Sequence, residues 1–219
     1  MTITQQTLSV VEAIRTRRTV RHYRPDPVSE RDLDVLLELA AEAPSSWNLQ
    51  DRSIVVVSSE EGRAALAAAT GGQPQALEAP VLLVFLAEPQ AWREDRADVR
   101  RRAVASGAGN EEFAAAFAEA STAFQLDLEE RGLTREYAVK DAVIAASFLL
   151  LAATELGLAT SPMNGWGEEA VKAAVGVGGR EDIAVALLVA LGHPAENRPH
   201  PGRRSLARVV SRERYPAGR

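Results

Sequence analysis

Residues 137–156 constrain the fold of this chain more than any other stretch. Their apolar positions recur at helical spacing, and small side chains are dense among them: Ala142, Ala145, Ala146, Ser147, Ala152 and Ala153. A helix apolar on most of its surface needs partners on several sides. Gly157 follows as its C-cap. Two nearly uninterrupted apolar runs, 81–86 and 183–191, read as buried strands, and 54–57 reads as a third.

Shorter helices fill the intervals. Ser9 and Glu12 form a capping-box pattern, with Val10, Val11 and Ile14 as a short apolar stripe, and the helix ends at a run of arginines. Pro25 and Pro27 make a rigid link. Ser29 caps a second helix, whose Leu33, Leu36, Leu37 and Ala40 share one face before Pro44 stops it. Residues 60–69 read as an Ala-rich helix broken by Gly71 and Gly72. Residues 89–109 are charged and punctuated by Gly and Ser, which predicts a mobile surface segment.

Asn110 caps the next helix, with Glu111 and Glu112 in its first turn. Its Phe113, Phe117, Phe124 and Leu128 share a face read as core, and Gly132 ends it. Residues 159–167 read as a loop, a short helix starts at Glu168, and the stretch 193–219 is a polar, Pro- and Arg-rich extension. Strands and helices mix without a strict βαβ period and without an internal repeat. The expected architecture is α+β, one sheet sandwiched by helices.

The chain has 219 residues, which predicts a single domain, and 46% of them are hydrophobic, enough to bury a core. It has no cysteine. Disulfides, thiol redox chemistry and thiolate metal sites are therefore excluded, and any redox function has to come from a bound organic group. Three histidines without paired spacing argue against a metal site. His22 reads as a partly exposed structural residue, since no carboxylate stands at an obvious spacing from it. Met1-Thr2-Ile3-Thr4-Gln5-Gln6 has neither a basic nor an apolar region of an export signal, and no apolar run is long enough to cross a bilayer. A cytoplasmic protein is the expectation.

Three segments carry the candidate chemistry. Arg17-Arg18-Thr19-Val20-Arg21 groups guanidinium donors around a hydroxyl. Such groups grip phosphate bidentately, although a solvated basic turn has the same composition. A nucleic-acid patch is a further reading, and the formal net charge of -5 weighs against it. Pro44-Ser45-Ser46-Trp47-Asn48 is a helix stop followed by short polar side chains, one helix-length from the arginines, so both segments can return to one site. Pro162-Met163-Asn164-Gly165 offers backbone donors beside a glycine that permits close approach. Arg203 and Arg204 in the extension read as solvated when taken alone.

Taken in order, these segments resemble the nitroreductase family. The resemblance rests on Arg-Arg-Thr-Val-Arg, Ala-Pro-Ser-Ser-x-Asn-x-Gln, a small-residue helix ending in Leu-Gly-Leu-Ala-Thr, Pro-Met-Asn-Gly-Trp, and Leu-Gly-His-Pro before a terminal Arg pair. It covers roughly residues 8–210. It implies a three-layer sandwich with a central, mostly antiparallel sheet, a homodimer, FMN at the dimer interface, and NADH or NADPH as reductant. It assigns Arg17, Arg18 and Thr19 to the phosphate and ribityl region and Arg21 to the flavin pyrimidine edge. Pro44, Ser45, Ser46 and Asn48 come from the other subunit, Pro162, Met163, Asn164 and Gly165 lie near the reactive ring, and Arg203 with Arg204 closes on the phosphate.

The implied activity is reduction of a small electron-poor acceptor such as a nitroaromatic, quinone or enone by a ping-pong route. A specialised branch (flavin destruction or reductive dehalogenation) and a non-enzymatic Arg-cluster module remain alternatives. The implied extras are a lid over about 89–132 and a partner-reaching tail over 193–219. Three positions depart from the family pattern: Gly72 with Gln73 beside it, Asp51-Arg52 after the second motif, and Thr19 where Ser is commoner.

Overall fold

The computed structural model describes residues 8–216. Residues 1–7, which include the N-terminal stretch Met1-Thr2-Ile3-Thr4-Gln5-Gln6, and the end of the C-terminal extension, 217–219, lie outside the described residues. Among the described residues the order is α1 (Val10–Thr16), α2 (Glu30–Ala41), β1 (Arg52–Val57), α3 (Glu60–Ala69), α4 (Pro74–Glu78), β2 (Val81–Ala87), α5 (Ala97–Ala105), α6 (Glu111–Glu130), α7 (Thr134–Glu155), β3 (Ala159–Met163), α8 (Glu168–Ala174), β4 (Ala184–Gly192) and α9 (Leu206–Val209).

The four strands form one sheet in the order β1-β2-β4-β3, every pair antiparallel. Strand alternation then builds two cores. Val81, Leu83 and Phe85 of β2 face α2 and α7, while Leu82, Val84 and Leu86 face α3, α4 and α8. Both faces are covered, so β2 and β4 are buried along their whole length, as their unbroken apolar runs require. A β-bulge refines the pattern. Phe85 pairs with Leu187 but Leu86 with Val185, so Ala186 is the extra residue, and Ala186 and Leu187 both join the α7 core.

The caps form as read. Ser9 and Glu12 exchange both capping-box bonds, and Ser29 and Asn110 accept from the third residue of their helices. Helix α6 terminates at Gly132, whose positive φ of 68° suits a residue without Cβ.

Several expectations need correction. Residues 159–163 are a strand, not a loop, because β4 supplies a full antiparallel ladder to a polar sequence. Within 89–109 a helix forms, α5, whose Arg102 and Asp98 lie one turn apart at 3.5 Å. Helix α4 was not expected either; Pro74 starts it at a position where no N–H is needed. The aromatic face of α6 is not core: its buried residues are Ala114, Ser121, Gln125 and Leu128, and Phe113 is exposed. His22 does have a carboxylate, Glu78 of α4, 3.0 Å from Nδ1.

Helix α7 is long and apolar enough to cross a membrane, contrary to the reading of its uninterrupted run alone. Its packing assigns it to the core. It lies against α2, β2 and β4, and Ala142, Ala145, Ala146 and Leu149 are fully buried.

Candidate functional site

The capping of α1 delivers the arginines. The helix stops at Arg17, and the next residues run beside β3. Thr19 forms a parallel bridge with Thr160, and the Val20 N–H donates to the Thr160 carbonyl at 3.3 Å. Tyr23 anchors the far end of this segment. Its hydroxyl donates to the Ala190 carbonyl and its N–H to Glu78. Burial beside Glu196 raises the Tyr23 phenol, so it stays a neutral donor.

Arg17, Arg18 and Thr19 are half-buried. One Arg17 nitrogen lies 3.5 Å from the Thr19 hydroxyl. Burial, then the positive charges of Arg203 and Arg18, hold the Arg17 guanidinium below its ordinary range. The structure therefore brings Arg203 of the extension to the α1 cluster. Among the described residues, none of the three has an acid partner within ion-pair distance. Arg21 and Arg204 are exposed. The Arg21 backbone N–H is held at 2.7 Å by the Glu196 carboxylate.

The second group lies past the other end of β3. Met163 is buried in the strand, Pro162 is half-buried, and Asn164 and Gly165 emerge beyond it. The Gln73 amide donates to the Gly165 carbonyl at 2.9 Å and to the Thr70 carbonyl at 3.2 Å. A Cβ on Gly165 would sit 3.2 Å from the Gln73 amide nitrogen, so glycine keeps this junction close. Gln73 thus braces the segment that follows β3, and its signal was its place beside the unusual Gly72.

The third group stands apart. Among the described residues no hydrogen bond joins Pro44, Ser45, Ser46 or Asn48 to Arg17, Arg18, Arg21, Arg203 or Arg204. Ser46 is tied to α7 instead: its N–H donates to Asp141 at 2.7 Å and its hydroxyl lies 3.4 Å from the same carboxylate. Trp47 leans on Phe117 and Phe124 of α6 at ring distances of 5.0 and 5.7 Å. With Asn48, Trp92, Arg96 and Phe113 it lines a cavity of about 310 Å³ between this turn, α5 and α6. Sequence reasoning missed Asp141; its signal was a charged pair, Lys140-Asp141, ahead of a long uncharged stretch of helix.

Comparison with known proteins places this arrangement. The model of the nitroreductase family matches residues 14–193. An NADH dehydrogenase of Thermus thermophilus is 36% identical over 96% of this chain and 98% of its own length. An NADPH-flavin oxidoreductase of Vibrio harveyi is 30% identical over 94% of this chain and 73% of its own length. The structure of an Exiguobacterium sibiricum protein in complex with FMN superposes with a TM-score of 0.85 at 23% identity, covering 95% of this chain and 99% of that one. Family model, a near full-length relative and shared fold agree: this chain belongs to the nitroreductase family.

Proposed function

We propose that this protein is an FMN-dependent NAD(P)H oxidoreductase that reduces small, flat, electron-poor acceptors. The observation that carries the reading is the uncompensated cluster of Arg17, Arg18 and Arg203. Three guanidinium groups, one of them partly desolvated and repelled by the others, fit a phosphate dianion better than they fit each other. The rest of the site fits as well. From Thr160 to Asn164 is four strand steps of about 3.3 Å, or roughly 13 Å. The phosphate end and the ring end of one elongated cofactor can therefore lie at opposite ends of β3.

Bound here, FMN would supply the two-electron redox chemistry between nicotinamide and acceptor. The chain's own residues bind and orient. Arg17, Arg18 and Arg203, with Arg204, hold the phosphate, and Thr19 adds a hydroxyl. Arg21 supports the pyrimidine edge with a fixed positive charge. Pro162, Met163, Asn164 and Gly165 form the wall by the ring, and Gln73 fixes that wall by holding the Gly165 carbonyl. No side chain is needed as acid or base.

Pro44, Ser45, Ser46 and Asn48 complete the site from a second copy of the chain. Apolar side chains left exposed support a dimer: Val10, Val11 and Ile14 on α1, and Ile144 and Phe148 on the neighbouring α7. The extension from 193 onward, exposed along 201–216, reaches onto the partner. Residues 89–132 act as the lid. We place the protein in the cytoplasm.

The test is the purified protein itself. It should be yellow and release FMN on denaturation, and stopped-flow with NADH and NADPH should bleach the flavin band. A colourless protein that cannot be reconstituted with FMN overturns the reading.

A further inference from the structure

The turn 45–50 carries unusual backbone strain. Trp47, Asn48 and Gln50 have φ of 54°, 49° and 53°, left-handed values that L side chains rarely adopt. Such a conformation persists only where its surroundings hold it. Some of the restraint is internal: the Gln50 N–H donates to the Ser45 hydroxyl at 2.9 Å, and the Asn48 N–H to the Ser45 carbonyl at 3.0 Å. The external anchor is Asp141. It is 4% exposed on α7, and each of its oxygens faces a Ser46 donor.

A second buried acid acts electrostatically on the first. Asp51 is 5% exposed, and its Oδ1 has no partner among the described residues. It lies one residue beyond the strained turn, at one of the positions where this chain departs from the family pattern. The charged groups that face it are Asp141 from α7, Arg52 from β1 and Arg96 from the segment entering α5. Both arginines are committed elsewhere. Arg52 donates to the Ala41, Ala43 and Pro44 carbonyls at the end of α2, and Arg96 donates to the Ala91 carbonyl. Arg52 and Lys140, its chain neighbour, also face Asp141. Two buried carboxylates thus act on one another electrostatically, and among the described residues only Asp141 is hydrogen-bonded to Ser46 of the turn.

We propose that Asp141 is the positioning residue of the 45–50 turn, and that the charge on Asp51 sets how firmly the turn is held, so that FMN binding through Ser45, Ser46 and Asn48 weakens as Asp51 ionises. The inference rests on the FMN reading above. With Asp51 neutral, its charge does not act on Asp141, whose carboxylate is held by the Ser46 donors. With Asp51 ionised, two buried charges repel, and relief comes by moving Asp141 away from Ser46 or by drawing Arg52 off the α2 carbonyls. Either movement loosens the turn. Burial, then the Asp141 charge, pushes Asp51 up to about 6, which places the change near neutral pH.

The experiment measures dissociation constants from pH 5 to 8 for wild type, Asp51→Asn and Asp141→Ala, using FMN and, as a probe without a titrating phosphate, riboflavin. Circular dichroism checks that each variant is folded. Wild type and Asp51→Asn should bind alike at pH 5, and the variant should bind several-fold more tightly at pH 8 with both probes. Asp141→Ala should bind about tenfold more weakly at every pH, and adding Asp51→Asn to it should change nothing further. Equal affinities of wild type and Asp51→Asn across the range, in a protein that binds FMN, overturn the inference and leave the FMN reading standing. Absence of FMN binding by the wild type at every pH overturns both.

Discussion

Arg17 and Asp51 illustrate opposite uses of burial. Arg17 gives up solvent to sit beside two other arginines, a cost recovered only when an anion arrives. Arg17→Ala should therefore weaken FMN binding more than it changes turnover of the loaded enzyme. A charge-assisted bond contributes roughly 1.5–3 kcal/mol, about a ten- to hundredfold change in dissociation constant. Fluorescence titration checks it, and an unchanged constant would show that Arg17 serves the fold alone. Asp51 gives up solvent with no bond to its Oδ1. Its folded value, about 6 against 3.8 for the free side chain, means that the native state holds the proton more tightly than the unfolded chain does. Stability then falls as pH rises from about 4 to about 6 and stays lower above that. At about 1.4 kcal/mol per pH unit the full loss is roughly 3 kcal/mol. Asp51→Asn should be more stable than wild type at pH 7 by up to that amount and equal to it near pH 4. Urea melts at the two pH values test this, and a constant difference between the proteins would contradict it.

At the scale of elements, legibility followed how locally each element is determined. Strands β2 and β4 are buried on both faces, so their apolar runs announce them, and the capping residues Ser9, Ser29 and Asn110 announce three helices. Strand β3 reads Thr160-Ser161-Pro162, a turn-like composition. It is a strand because β4 lies along one edge and Thr19 along the other, and neither neighbour is visible in the sequence of β3 itself. Of the arginines that obscured α5, Arg102 pairs with Asp98 one turn away and Arg100 with Asp95 just ahead of the helix. The arginine cluster and the wall past β3 were legible as motifs, whereas Asp141 acts across 95 residues and only the folded chain brings it to Ser46. The face of α6 was legible as a stripe, but its partner was not. Phe117 and Phe124 meet Trp47, joining the turn to the helix. Trp47→Ala should remove that join at a cost of about 2 kcal/mol, less than a fully buried tryptophan would cost. Amide exchange should then speed up in α6 while β2 and β4 keep their protection. Uniform acceleration would show that the aromatic contact belongs to the global core.

On the proposed reading, the whole molecule carries its cofactor contacts in two groups, and among the described residues no hydrogen bond links Ser46 to Arg17, Arg18 or Arg203. The arginines and the wall past β3 lie together along one sheet edge, whereas Ser46 is bonded to α7 on the opposite core. Helix α7 is buried against α2 and the sheet, yet Ile144 is 38% and Phe148 43% exposed, beside an α1 whose Ile14 is 57% exposed. A second copy that covers this face would bury apolar surface worth roughly 25 cal/mol per Å² and would bring its own turn to the first copy's arginines. Cofactor binding and association should therefore be linked: whatever separates the subunits should also release FMN. Phe148→Glu places a charge in that face while leaving the Ala145, Ala146 and Leu149 side of α7 untouched. The variant should sediment as a monomer, keep its far-ultraviolet circular dichroism, and lose bound FMN, with both losses growing as the protein is diluted. A monomeric Phe148→Glu that retains FMN stoichiometrically would mean that one chain completes the site alone, and the turn 45–50 would then have no part in it.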